Sequence, residues 1–285
     1  MIWLALSVLS SVIFGSSLKI AEKAGRDRVV VAFANYLFGA VLAAIYLLVY
    51  AGWRISWPTV YVGAIAGVTW VAGLITLMVG IKEVGLAYAV SLARLAVLIP
   101  VAACLILWDE QLVGIQIVGV VLVCVAMLAL CSRAAKREGK ITTWGVTLLV
   151  MIFLAHGCVK FVMKLYKEVA VNKIGHVETA AYMMVLFISA AILTGIWTFA
   201  ARKKVKAGDF IYGAAAGIPN ILTGGFLILA LDALPGSIVF SFWDGVCVFL
   251  LSILGVVVWK EKLGVRGVAG IVLTLIALVL IKWGE

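Results

Sequence analysis

The chain has 285 residues, of which 66% are apolar and 13% charged, and its mean hydropathy is +1.23. That balance excludes a soluble globular domain, and with it the reading of the net charge of +10 as a nucleic-acid footprint. The basic residues fall in short connections between apolar runs, where anionic lipid head groups would meet them.

A run of roughly 20 apolar residues crosses about 30 Å of hydrocarbon at 1.5 Å per residue. Such runs predict about ten transmembrane helices. The first, 2–21, has polar interruptions and no basic leading segment, so it is expected to be a mature helix rather than a signal peptide. The second, 29–50, carries Asn35 and Tyr36, and the third, 59–80, a small polar face of Thr69, Gly73 and Thr76 beside Trp70. The fourth, 85–108, holds Tyr88, Ser91, Arg94 and Pro100, and the fifth is 112–131. After a basic linker, 132–143, the sixth run, 144–165, holds His156 and Lys160. The seventh is 177–201, and the eighth, 210–231, contains Pro219, Asn220 and Gly224. The ninth, 236–259, contains Ser237, Ser241, Trp243 and Asp244, and the tenth is 263–283. The connections leave no room for a soluble catalytic or receptor domain. The fold class expected is an all-α integral membrane protein, multi-pass in a cell membrane, that of a prokaryotic inner membrane first among them.

The chain also resembles itself. Shifted by about 151 residues, Trp108-Asp-Glu110-Gln-Leu112 falls on Trp259-Lys-Glu261-Lys-Leu263, and Gly85, Gly119, Leu122 and Ala126 fall on Gly236, Gly270, Leu273 and Ala277. A shift of about 150 lays Gly63-Ala-Ile-Ala-Gly67 on Gly213-Ala-Ala-Ala-Gly217, and one of about 141 lays Trp3, Lys19 and Lys23 on Trp144, Lys160 and Lys164. The pattern predicts two five-helix repeats, 1–131 and 144–285. An odd number of spans per copy makes the second enter the membrane from the opposite side, giving inverted repeats around a central cavity, as in many secondary transporters.

Phe14-Gly-Ser-Ser-Leu-Lys19, Pro100, Glu110 with Gln116 and Gly119, and the matching Glu261, Gly267 and Gly270 resemble the EamA-type, ten-helix branch of the drug/metabolite transporter superfamily. The resemblance covers nearly the whole chain. It implies a cavity enclosed by helices one to four and six to nine, with the fifth and tenth peripheral. It also implies transport of metabolites, amino acids or drugs, usually outward. Small multidrug relatives in that superfamily bind cations through a carboxylate in the first helix; here the comparable stretch has Ser10, Ser11, Ser16 and Ser17 and no acid. That departure points away from a pump for lipophilic cations.

An ionisable side chain at the bilayer centre is disfavoured by roughly 2.5 to 3.5 kcal/mol on insertion scales, so each needs a reason. Arg94 and Asp244 lie near the midplane of the fourth and ninth spans, and Asp244 aligns with Ala93 through the repeat. Two readings stand open: a structural ion pair, or separate groups that hold a substrate's carboxylate or phosphate (Arg94) and its amine or a proton (Asp244). Ser237, Ser241 and Asp244 share one helical face, and Ser91 precedes Arg94 by three residues. Trp70 corresponds to Asn220, and Pro219 should free a backbone carbonyl inside the membrane. Asn35, Tyr36, Tyr88 and Trp243 are further candidates to line a site. Lys160, four residues after His156, is expected to snorkel to the nearer surface.

No P-loop, HExxH or metal-spaced cluster occurs, so no enzyme activity, cofactor or metal is expected. Cys104, Cys124, Cys131, Cys158 and Cys247 form no CxxC pair and read as packing residues. The function predicted is a secondary transporter, an exporter of a small polar, amino-acid-like or anionic metabolite by alternating access. The alternative is a lipid or lipid-head-group translocator using the same cavity. Proton coupling and a monomeric or homodimeric state stay open. So does orientation: sixteen of the 23 Lys and Arg residues fall on one side and six on the other, which places both termini outside by the positive-inside rule. The family resemblance places them inside.

Overall fold

The structure is a computed structural model, and it describes residues 1–131, 142–258, 260 and 265–283. Its elements are helical: α1 (Ile2–Lys23), α2 (Arg28–Tyr46, continued by the π-turn Leu47–Ala51), α3 (Trp57–Glu83), α4 (Leu86–Leu95), α5 (Leu98–Leu107) and α6 (Gly114–Cys131). They continue with α7 (Thr143–Tyr166, extended by the π-turn Lys167–Val171), the short α8 (Asn172–Ile174), α9 (Thr179–Ala200), α10 (Ala207–Ala233), α11 (Gly236–Val257) and α12 (Val265–Trp283). Among the described residues eight segments are long and apolar enough to cross a membrane, α4 with α5 counting as one, and two shorter apolar helices, Gly114–Ala129 and Gly267–Ile281, join them. The chain is an all-α multi-pass membrane protein. The linker expected over 132–143 lies outside the described residues except at its last two positions, as do Trp259, Glu261 and Leu263.

Helix ends follow local chemistry. Asp27 caps α2, accepting from the backbone N–H groups of Val29 (2.9 Å) and Val30 (3.4 Å), two donors that the first turn leaves unpaired. Gly85, with φ of 92°, takes a left-handed conformation that a side chain resists, and so separates α3 from α4. Pro100 has no N–H to give the carbonyl of Ala96 and its ring crowds that group. The ladder accordingly breaks at Ala96 and Val97, with Val97 N–H turning to Arg94 O (3.2 Å) and Ile99 N–H to Ala96 O (3.1 Å). The fourth span is thus two helices. At 27 residues, α3 and α10 run about 40 Å, longer than the hydrocarbon is thick.

The described chain divides into two compact units, each drawing on both halves of the sequence: unit one is Met1–Val71 with Val162–Ala233, unit two Ala72–Phe161 with Leu234–Glu285. In lipid, packing rather than the hydrophobic effect joins helices, and small residues let backbones approach. In unit one a Cβ added to Gly67 of α3 would lie 2.6 Å from Leu186 O of α9, and one added to Gly213 of α10 would lie 2.9 Å from Val31 O of α2. The two glycine pairs that align in the sequence, Gly63/Gly67 and Gly213/Gly217, therefore each press on a second-span helix of the other half. In unit two α6 packs along α12, with Gly119 against Ile281 and Ala277. Val84, Ala89, Ala93 and Ile152 form a further buried cluster there.

Candidate functional site

The most deeply buried acid among the described residues, Asp244, lies in unit two. Asp244 sits two turns into α11 and is 1% exposed at its side chain; its Oδ2 accepts from Lys160 Nζ of α7 at 2.5 Å, and its Oδ1 faces Arg94 Nη1 of α4 at 3.5 Å. Arg94 and Asp244 do meet, but the carboxylate's closer partner is Lys160, and Oδ1 makes no hydrogen bond. The expectation that Lys160 snorkels to a surface is overturned. Its side chain is 11% exposed, because the buried carboxylate offers it a stronger interaction than a head group would. Removing Lys160 from the surface count widens the basic asymmetry between the two sides.

Three local structures aim these groups. The Pro100 break leaves Arg94 in the last turn of α4, where the helix dipole favours a cation. Glu110 fixes the start of α11: its carboxylate accepts from the backbone N–H groups of Gly236 (2.8 Å) and Ser237 (2.9 Å) and from Ser237 Oγ (2.8 Å). Seven residues on, Asp244 shares that face. Lys160 also lies 5.9 Å from the ring centre of Trp243, within cation–π range, while a Cβ on Gly73 would touch the His156 ring at 3.6 Å. His156 Nδ1 is 3.0 Å from Ile152 O, and since a carbonyl only accepts, this nitrogen carries the proton.

The charges do not balance. Two cations face one carboxylate, and they are unequally held: Lys160 is close and buried, Arg94 is farther and its side chain is 30% exposed. The arrangement leaves one positive charge in surplus and Oδ1 of Asp244 without a hydrogen bond.

Other candidates are placed differently. The hydroxyl stripe leading to Asp244 is taken up by the fold, since Ser241 Oγ donates to Ser237 O (2.8 Å) and Ser237 Oγ to Glu110. Ser91 is buried one turn before Arg94, Trp243 is half-buried and Tyr88 exposed. In unit one Asn220 Nδ2 donates to Asn35 Oδ1 (3.3 Å), both residues buried, which joins α2 to α10. Tyr36 packs on Phe187, and Trp70 is half-buried. Thr69 and Thr76 return their hydroxyls to Ala66 O and Ala72 O of their own helix. The carbonyl of Pro219 itself accepts from Thr223 Oγ1 (2.8 Å). Sequence reasoning missed the roles of Lys160 and Glu110. For Lys160 the available signal was its depth in an apolar run, which was outweighed by the habit of long cationic side chains to reach for water.

No protein-family model matches this sequence. The chain is 27% identical over 190 residues to an uncharacterized protein of Haemophilus influenzae, covering 65% of this chain and 62% of the relative. It is 37% identical over 57 residues to the multidrug resistance protein EbrA of Bacillus atrophaeus, covering 20% of this chain and 54% of that protein. The chain thus spans about three-fifths of one curated relative and about half of the other. One solved crystal structure superposes over 98% of both chains with a TM-score of 0.75 at 16% identity, a likeness of fold. This multi-pass membrane protein is distantly related to a bacterial multidrug resistance protein.

Proposed function

We propose that the chain is a secondary transporter of the ten-helix drug/metabolite type that exports a small anionic or amino-acid-like metabolite by alternating access and leaves its cargo chemically unchanged. The observation that carries this reading is the half-satisfied carboxylate of Asp244 between a tightly held Lys160 and a loosely held, partly exposed Arg94. Buried charge is retained in a membrane helix where a function requires it. A cargo carboxylate or phosphate takes the Arg94 guanidinium in a two-pronged contact, and a cargo ammonium takes Oδ1 of Asp244. Lys160 stays paired with Oδ2 of Asp244, so the site never presents a bare carboxylate.

Further support comes from the distant relation to EbrA, from the resemblance to the EamA branch and from the reciprocal packing of the two aligned glycine pairs, which suits inverted repeats. The surplus of positive charge and the serine-rich first helix favour anionic over cationic cargo.

The test is thermal unfolding of the purified protein in detergent with amino acids, phosphorylated metabolites, organic cations and lipid head groups. Carboxylate- or phosphate-bearing compounds are expected to stabilise the native chain, by about 2.7 kcal/mol at a hundredfold excess over Kd, and to have no effect on Arg94→Ala. Stabilisation by organic cations alone would overturn the reading in favour of a multidrug site. Stabilisation by lipid head groups alone would do so in favour of lipid translocation.

A further inference from the structure

Unit one carries a feature that transport by the charged site does not use. Phe33 near the start of α2 meets Phe199 near the end of α9, with ring centres 6.2 Å apart, while Tyr36 meets Phe187 a helix turn or more earlier in α9, so the two helices run antiparallel. Between them lies a groove of about 640 Å³ lined entirely by apolar residues. Its floor is small, with Ala40 and Ala191 buried, and its walls are large and project outward, with Ile192, Ile196 and Phe199 all exposed. The α9 side runs from Ile188 to Ala200, about 18 Å at 1.5 Å per residue, close to the roughly 15 Å depth of one leaflet's hydrocarbon.

The two ends of this groove differ. Past Phe199 the chain turns into Arg202-Lys-Lys204-Val-Lys206, all exposed, and Lys203 Nζ reaches Asp27 at 2.7 Å, which ties this turn to the start of α2. Arg26 pairs with Asp209 and Arg28 with Glu22, but Arg202, Lys204 and Lys206 make no ion pair among the described residues. Towards Ile188 the groove runs into helix interiors without charge: α9 has no Lys, Arg, Asp or Glu over its length. A leaflet-deep apolar channel with unneutralised cations at one end is complementary to an amphiphile with a negative head.

We propose that this groove binds an anionic phospholipid, with one acyl chain lying along α2 and α9 and the phosphate held by Arg202 and Lys204. The head then sits where the helices leave the hydrocarbon, and the chain fills the channel between the isoleucine walls. Cations near a membrane surface each contribute to such attraction, and salt weakens it.

Binding of phosphatidylglycerol and of phosphatidylcholine with identical chains, measured on the purified full-length protein in detergent by native mass spectrometry, tests the assignment without reference to transport. Phosphatidylglycerol is expected to bind at least tenfold more tightly. The double substitution Arg202→Gln with Lys204→Gln should weaken it about thirtyfold while leaving phosphatidylcholine unchanged. Ile196→Trp, which pushes an exposed wall residue into the channel, should weaken both lipids alike. Equal affinity for the two lipids would overturn the proposal, as would an unaffected double variant. So would competition by soluble glycerol phosphate as strong as by the whole lipid, which would mark a site for a free phosphate. A dimer that phosphatidylglycerol does not displace would overturn it in favour of a second copy of the chain on this face.

Discussion

The two compact units hold their buried polar groups in opposite ways. In unit one the deepest pair is neutral, Asn35 and Asn220 satisfying one another between α2 and α10, and the buried charges Lys164, Glu178 and Asp209 lie at or near helix ends. Unit two buries a full carboxylate with two cations around it, one of them at 3.5 Å and partly exposed. A neutral amide pair is an ordinary means of joining membrane helices. A charged trio with a surplus of one is a poor one, because desolvation works against it and small residues would pack the same helices more cheaply. The contrast supports the proposal that cargo meets the charged trio of unit two, while the amide pair joins helices in unit one.

The largest effect that would break this comparison is Asp244→Asn, which leaves Lys160 and Arg94 facing each other in a low-dielectric interior. Stability should fall by about 3 to 5 kcal/mol, the usual result of stranding a buried charge, and transport into reconstituted vesicles should vanish. Lys160→Met with Asp244→Leu removes the tight pair together and should restore much of the unfolding temperature without restoring transport. Recovery of transport in that double variant would reduce the trio to scaffolding.

Glu110→Gln comes next. Its carboxylate accepts three hydrogen bonds at the N-terminus of α11, where negative charge is favoured. The substitution should lower stability by about 1 to 2 kcal/mol. By freeing the start of the helix that carries Asp244, it should also slow transport more than the stability loss alone explains. Transport rate and unfolding temperature measured on one preparation separate the two effects.

Unit one supplies a pH-dependent counterpart. Glu178 lies between spans and accepts from Ser56 N (2.9 Å), Ser56 Oγ (2.6 Å) and Thr59 Oγ1 (2.5 Å), holding the start of α3. Burial pushes its carboxyl up, but these hydrogen bonds outweigh burial and hold it below the usual value of 4.5. Because the folded value is depressed, the stabilisation is fully present above the unfolded value and is lost as pH falls through the folded one. Glu178→Gln should therefore flatten the acid limb of the unfolding-temperature profile below about pH 4.5 and leave transport at neutral pH unchanged.

The smallest effect belongs to the amide pair. Asn35→Leu with Asn220→Leu should cost about 0.6 kcal/mol, the average for an interhelical hydrogen bond in a membrane, with transport retained. Loss of transport at normal stability would return both residues to the binding site.

The spans were legible in the sequence because a bilayer imposes one requirement on every crossing, a run of about 20 apolar residues, and that requirement is local. Arg94 and Asp244 were legible for the same reason, as charges where hydrocarbon disfavours them. The break after Arg94 follows from Pro100 and needs no distant partner. What the tertiary structure decided was pairing. Lys160 reaches Asp244 across 84 positions and Glu110 reaches Ser237 across 127, distances at which no helical period or repeat carries information. A long cationic side chain inside an apolar run has two good outcomes, a head group or a buried carboxylate, and only the packing of α7 against α11 chose between them. The hydroxyls of Ser237 and Ser241 were visible as a stripe, but whether they faced a cargo or their own fold depended on an acid from another helix connection reaching them first.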